Sequence, residues 1–563
     1  MSEKTQVPLD IRNGDKAPLH EESFPLKEFE NGGKTESSEV NFEEAVALTG
    51  QGKFHYVLQL GCGMCLISMS AEILNTAYLL PSAECDFNMT SSDKGMLSAV
   101  CYIGMIVSSH LWGFMADTRG RRHTLVWTLL LDGFCALASS FSHAYWLFIL
   151  LRFFNGFFIC GPSAVVYAYM GEFHAAATRS RAIMWGAVFI SGAIIALPGV
   201  AWVIISQPWS VELPLYTYHS WRVFVVVCSL PSFITALLFL FWLPESPKFL
   251  LSQNREEEAL DVLRYMYAMN TGQQPQHYKV KSLKIELRLE EDTNYKHNLR
   301  SLTGILRLMW SQTKPLFLPP HLINTLLGCS LMFGIFASFN GFLLWLPEMF
   351  NRLADYADIH PGVSATVCEA ISTLAGNITT HTEAFESNMT VINVSLSPPG
   401  TESLPLNGTC SSEVASTVFM KSLIIGGSSA IANIACVFLI TRMGKKNILV
   451  TCMIVSGLSG VALLFAQSAT GVLILSSILE GLTLTSPTVL NSILVDIFPT
   501  HLRAMAVCMS MLMGRVGTVV SSIILGILLE VNCILVFIAL GGVLIGCGVL
   551  GFFLPSPWRW RIR

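Results

Sequence analysis

The chain has 563 residues, of which 52% are apolar and only 13% charged, with a mean hydropathy of +0.54 and a formal net charge of −4. A water-soluble chain of this length needs a charged surface over its core; here the charges avoid long stretches altogether, so lipid is the solvent that fits. The small net charge gives no reason to invoke nucleic acid. The fifteen cysteines lie mostly inside apolar runs (Cys62, Cys65, Cys101, Cys160, Cys436, Cys452, Cys508, Cys547) and read as small hydrophobes, not as metal ligands.

Residues 1–54 open with a polar stretch rich in Glu and Lys, with no apolar segment before Tyr56 to serve as a signal peptide. They are expected to stay in the cytosol and to end in a short amphipathic helix, so the first spanning run must direct insertion. Crossing about 30 Å of hydrocarbon takes about 20 helical residues, and twelve runs qualify. Six lie near 56–80, 95–116, 123–142, 145–170, 182–205 and 221–243, and six near 321–346, 418–440, 447–467, 471–495, 504–529 and 534–554. The expectation is an all-α membrane protein of twelve transmembrane helices in two six-helix halves, a bundle at 55–243 and a second at 321–555. The linker 244–320 holds two amphipathic stretches, REEEALDVLRYMYAM (255–269) and LRSLTGILRLMW (299–310), that read as interfacial helices. Segment 347–417 reads as a long loop rich in Ser, Thr, Asn and Pro, and 556–563 as a basic tail.

Orientation follows from the loops. Arg119, Arg121 and Arg122, then Arg179 and Arg181, then Arg442, Lys445 and Lys446, then Arg503, and the tail all fall on one side of twelve spans, which should be the cytosol. The glycosylation sequons at Asn88, Asn377, Asn388, Asn393 and Asn407 all fall on the other. Both termini are thus expected in the cytosol, in the plasma membrane or a secretory or synaptic vesicle membrane. Cys368 and Cys410 lie in the sequon-bearing loop, in an oxidising compartment. A disulfide between them is one arrangement; free thiols or a bond to Cys85 are the others.

The chain repeats itself. GFMADTRGRR (113–122) and FLITRMGKK (438–446) place Gly120 and Gly444 324 residues apart, and Glu172-x6-Arg179 recurs as Asp496-x6-Arg503 at that same offset. Two unrelated motifs sharing one offset imply homologous halves. Acids and cations at these helix ends are expected to form a cytosolic gate that parts as the halves rock: Asp117, Gly120, Arg121, Glu172, Arg179 and Glu245 in the first half, Asp496 and Arg503 in the second. There Thr441 stands where the acid would be.

With G-x-x-x-D-x-x-G-R-R at 113–122, E-x6-R at 172–179 and PESPKFLL at 244–251, the chain resembles the major facilitator superfamily in its sugar-porter and organic-ion branch. FEEAVALTGQGKFHY (42–56), LLPSAECD (79–86), SSDKGML (91–97), HSWRVFVVVCSLP (219–231) and IFPTHLRA (497–504) make it similar to the synaptic vesicle glycoprotein 2 group, of which it reads as a divergent relative. The likeness covers nearly all the chain from Phe42. It departs where MSAE (69–72) keeps Glu72 but has Met69 at the group's Asp position, and in a shorter 347–417 loop without pentapeptide repeats.

Ionisable groups at membrane depth are costly and mark function; here they are Glu72, Asp132, Arg152, Glu480 and Arg515. A carboxylate held out of water keeps its proton more readily, and a guanidinium beside it opposes this. Glu72 and Arg152 are therefore the leading pair for proton coupling, and an Arg at this place in the fourth helix recurs in coupled carriers of the resembled superfamily. Asp132 reads as a packing or water-bound group, because the third helix is peripheral in that fold. Glu480 and Arg515 are expected to pair across the second half. Phe336, Phe339, Asn340 and Trp345, with Tyr102 and Trp112, are the expected cavity wall, aromatics with an amide that suit an organic cation or a flat polar solute. The chain thus reads as a transporter of a small organic solute, an organic ion or sugar-like molecule, working by alternating access with proton coupling. The alternative is a non-transporting membrane protein like the vesicle glycoproteins, docking a protein partner at its glycosylated loop. With no nucleophile–base set or phosphate-binding loop, no enzyme, cofactor or metal is expected.

Overall fold

The computed structural model describes the chain except residues 1–38, 208, 215, 285–309, 311–312, 361–365, 371–372, 374–415, 500–501 and 556–563. The first half comprises α1 (Phe42–Leu48), α2 (Lys53–Phe87), α3 (Ser91–Arg119), α4 (Arg121–Ser140), α5 (Tyr145–Glu172), α6 (Ala176–Ile205) and α7 (Ser220–Phe241). The linker carries α8 (Pro247–Ser252) and α9 (Glu256–Thr271). The second half comprises α10 (Leu322–Ile359), α11 (Ser416–Met443), α12 (Lys445–Ala462), α13 (Ala469–Ile497), α14 (Arg503–Val531) and α15 (Cys533–Gly551). Eleven of the described helices are long and apolar enough to cross a membrane. The twelfth, α4, begins with Arg121 and Arg122, holds Asp132 in its middle and packs between α5 and α7.

Every run expected from sequence falls on one helix, with differences at the ends; α12, for one, stops at Ala462, short of the expected 467. Helix α2 starts at Lys53 and continues to Phe87, and α10 runs on through Pro347 to Ile359, into residues assigned above to the loop. A proline inside a transmembrane helix is tolerated because neighbouring groups take up the freed carbonyl. Local signals set several ends. Thr90 caps α3 reciprocally with Asp93, while Ser468 and Asn532 cap α13 and α15. Asn88, a left-handed residue at φ 48°, closes α2 and is exposed. The other four sequons lie outside the described residues.

Strand β1 (Glu39–Asn41) pairs in parallel with β4 (Ser282–Lys284), and β2 (Ser210–Glu212) pairs antiparallel with β3 (Thr217–His219). The first pair ties the N-terminal segment to the linker, and α9 buries Leu260, Leu263 and Met266 on one stripe. Asn270 joins three segments: it accepts from Phe54 N at 3.1 Å and donates to Thr49 O at 3.2 Å. The stretch 299–309, expected as a second interfacial helix, lies outside the described residues.

The apolar core is distributed unevenly along the bundle. Toward the end bearing Asn88, one cluster takes side chains from both halves, among them Leu79, Leu97, Trp221, Trp345, Phe419 and Leu529. Toward the basic end the described core is divided. Phe54, Leu125, Phe173 and Leu263 belong to a cluster of the first half and linker, and Leu316, Leu449, Phe498 and Leu554 to a cluster of the second.

Candidate functional site

At mid-depth in the first half, five helical side chains from α2, α4 and α5 converge. Arg152 Nη1 lies 3.6 Å from Glu72 Oε2 and donates to Asn75 Oδ1 at 3.1 Å. Asn75 and Asn155 donate to the same Glu72 oxygen at 3.3 and 3.2 Å. Asn155 also donates to Asp132 Oδ1 at 2.7 Å, and Ser232 of α7 donates to Asp132 Oδ2 at 2.7 Å. Ser68 stands 2.5 Å from Ser232 and completes the chain. Glu72, Asp132 and Asn155 are fully buried and Arg152 is 1% exposed, with the guanidinium over the Phe148 ring. The network holds two carboxylates and one cation. Glu72 Oε1 and Arg152 Nη2 have no hydrogen-bond partner among the described residues. Asp132, read from sequence as a packing or water-bound group, belongs to this network, because the face of α4 that packs on α5 carries it to Asn155. A search restricted to charges also misses Asn75 and Asn155; their signal was an amide three residues from each member of the Glu72–Arg152 pair.

A second buried cluster spans the halves at the Asn88 end. Lys94 Nζ, with no exposed side-chain surface, is 2.6 Å from Glu84 and 2.6 Å from Glu348 of α10, and Glu348 also takes Arg352 Nε at 2.9 Å. Beside it the backbones of α3 and α14 touch. A Cβ on Gly526 would sit 2.6 Å from Ser91 O and 2.7 Å from Gly95 Cα. Lys94 heads an apolar run, where the sequence gives no sign of burial, within the SSDKGML stretch that carries the family resemblance. Two other stretches noted for that reason meet at Asp86, which takes Trp221 Nε1 at 3.0 Å and Arg222 at 3.4 Å.

The second half departs from expectation. Arg515 does not pair with Glu480; it crosses to the first half, reaching Ser163 Oγ at 2.9 Å, Cys160 Sγ at 3.2 Å and Met105 O at 3.4 Å. Asn340 also links the halves, accepting from Tyr102 OH at 3.1 Å and donating to Thr518 Oγ1 at 3.0 Å. Of the expected aromatics, Phe339 lines a cleft between the halves, Phe336 packs on Gly514, Trp345 is wholly buried, and Trp112 Nε1 bonds Phe157 O at 2.6 Å.

At the basic end the gate residues pair within each half, and the repeat is visible in the bonds themselves. Arg121 lies 3.0 Å from Asp117 and 3.2 Å from Glu172; Lys445 lies 2.7 Å from Asp496, each partner of the Arg121–Glu172 pair shifted by 324 residues (121 to 445, 172 to 496). Arg122 donates to Phe239 O and Leu240 O, as Lys446 does to Phe552 O and Leu554 O. Arg179 folds back on His174 O at 3.3 Å and Arg503 on Phe498 O at 2.9 Å, and Arg179 also meets Glu43 of α1 at 2.6 Å. Glu245 accepts from the Arg122 and Ser246 amides at 3.0 and 2.9 Å. Gly120 is needed twice over: its φ is 108°, and a Cβ there would run into the Glu245 carboxylate. None of these described ion pairs joins one half to the other.

The Cys368–Cys410 disulfide is corrected. Cys368 bonds Cys533 at the start of α15, with the Cα atoms 5.5 Å apart. Val367 packs into the shared core and Ala370 is buried, which holds Cys368 against that helix end, a placement that spacing along the chain does not encode. Cys85 is also disulfide-bonded, and Cys410 lies outside the described residues.

Paired six-helix halves around buried mid-membrane charges define a class, the secondary transporters built from repeats. The family model of the Major Facilitator Superfamily matches residues 60–381 and 402–563, and the chain belongs to that family. It is 25% identical over 610 residues to synaptic vesicle glycoprotein 2C of Rattus norvegicus, covering 96% of this chain and 84% of the relative. To synaptic vesicle glycoprotein 2A of Rattus norvegicus it is 32% identical over 332 residues, 56% of this chain and 44% of the relative. Among solved structures, the fold matches the xylose transporter XylE from E. coli in a partially occluded inward open conformation, with a TM-score of 0.59, 13% identity, 90% of this chain and 100% of that one. It also matches the nucleoside transporter NupG with a TM-score of 0.52 and 13% identity, over 89% and 98% of the two chains. The protein is a multi-pass membrane protein with the fold of solute transporters, not an enzyme.

Proposed function

We propose that the protein moves a small organic solute across its membrane by alternating access, coupled to a proton held in the Glu72–Asp132–Arg152 network. The observation that carries the coupling is the charge count. Two carboxylates face one guanidinium in a place with almost no exposed surface. A buried uncompensated charge costs several kcal/mol, and one proton makes the set neutral. Asn155, bonded to both acids, gives that proton two sites joined by one side chain.

The conformational reading rests on the core. The halves share apolar packing and the Lys94–Glu348 pair at the Asn88 end and keep separate cores at the basic end. This supports a carrier closed at the glycosylated side and parted at the basic side. Under the positive-inside rule the basic side, with both termini, is cytosolic, in a plasma or secretory vesicle membrane. The Glu172–Arg121 and Asp496–Lys445 pairs then brace helix ends inside each half, and closure of the cytosolic side would have to bring the halves together there.

The test is uptake by vesicles reconstituted with the full chain, carrying a pH dye inside. D-xylose, a nucleoside and an organic amine serve as the solute panel. Wild type should accumulate at least one solute about tenfold over equilibrium when a proton gradient is imposed; Glu72→Gln should exchange it without accumulating it. Equal accumulation by both removes the coupling. The vesicle-glycoprotein relatives and the sequon-rich 374–415 stretch favour a second reading, a glycosylated surface that docks a protein. Absence of flux for every solute, with a partner captured by the wild-type loop and lost on its deletion, would select it.

A further inference from the structure

Glu480 is 1% exposed, and neither of its carboxylate oxygens has a hydrogen-bond partner among the described residues. Arg515, the cation expected to meet it, is engaged with the other half of the protein. The carboxyl group lines a narrow cleft of about 30 Å³ between the halves, whose wall includes Tyr78 of α2, Phe339 of α10 and Ser422 and Ser429 of α11. The remainder of the wall is mostly leucine and isoleucine. We propose that this cleft binds a small organic ammonium ion, its charge paired with Glu480 and its hydrocarbon part held between Tyr78 and Phe339.

The chemistry of the lining selects this class. A desolvated carboxylate without a partner is strongly unfavourable, and an ammonium group brings both the opposite charge and N–H donors for its two oxygens. Aromatic faces attract the same cation and stack on its carbon skeleton. Anionic solutes meet repulsion. A sugar needs a polar partner for each hydroxyl, whereas Ser422 already donates to Val418 O at 2.9 Å and the wall is chiefly apolar. As it stands the cleft has room for a water or two, so the amine takes its place only as the two halves part around it. The cleft takes walls from both halves, so a bound cation would be handed over when they move. This deepens the transporter reading by naming its solute class, and rests on that reading for the handover.

The experiment is equilibrium binding to the full chain in lipid nanodiscs, without any gradient, using phenethylammonium and its neutral counterpart 2-phenylethanol as probes. Wild type should bind the amine at least tenfold more tightly than the alcohol. Glu480→Gln should weaken the amine at least tenfold and leave the alcohol unchanged. Phe339→Leu keeps the carboxylate and should weaken the amine threefold or more, which serves if the first variant does not fold. Equal affinity of wild type for the two probes, no binding of either, or a variant that holds the amine as wild type does overturns the proposal. Proton-driven flux of another solute without amine binding would sink this site and leave the transporter standing. Amine binding with no flux of any solute would do the reverse.

Discussion

Two sets of charges, one built around the buried Lys94 and Glu348 and one wholly buried, differ in count and in place. At the Asn88 end, Lys94 and Arg352 meet Glu84 and Glu348, two described cations for two carboxylates, on helices from both halves. At mid-depth, Arg152 meets Glu72 and Asn155 joins that acid to Asp132, one cation for two carboxylates, inside a single half. Within the first set the Lys94–Glu348 pair joins the halves, so its energy depends on where the halves stand, while Lys94–Glu84 and Arg352–Glu348 each stay inside one half. The second keeps its partners through any rigid movement of that half, and its one adjustable member is a proton. In the proposed cycle the first set is therefore a lock on conformation and the second a seat for the coupling ion.

That contrast can be broken in four ways. Lys94→Met leaves Glu348 with Arg352 alone and should remove about 1.5–3 kcal/mol from the closed arrangement, read as faster hydrogen exchange over residues 91–100; unchanged protection would mean the cluster locks nothing. Gly526→Val should wedge the same contact apart at a cost of about 1–3 kcal/mol, with exchange rising over the same residues and Gly526→Ala giving a smaller rise. Asp132→Asn removes the surplus charge, so its melting should stay within about 1 kcal/mol of wild type while solute-linked proton release disappears. A large loss of stability with proton release intact would reverse the two roles. Lys445→Ala deletes a pair in which both partners are more than a third exposed and should cost about 0–1 kcal/mol, without altering exchange over 91–100. A rise there would show that the basic-end pairs join the halves after all.

The contrast also marks where reasoning along the chain stops. Glu72 and Arg152 were legible because a charge inside an apolar run is expensive anywhere along the chain. Lys94 was not, because it stands at the head of its run, where a lysine can reach water; only the arrival of Glu348 from α10 buries it. The expected Arg515–Glu480 pair assumed that charges on neighbouring helices of one half face each other. The rotation of α14 turns Arg515 toward Cys160 and Ser163 instead and leaves Glu480 in the cleft.

By itself the sequence determined the spans, the repeat at 324 residues and the assignment to a transporter fold. Those follow from run length, from the distribution of cations among loops and from motif spacing, all properties measured along one dimension. Tertiary structure alone decided that Asn155 joins two carboxylates, that Cys368 finds Cys533, and that the gate pairs stay within their halves. Each of these depends on which face a helix turns to its neighbour. A uniformly apolar helix carries little amphipathic signal to fix that rotation, so packing at close range settles it.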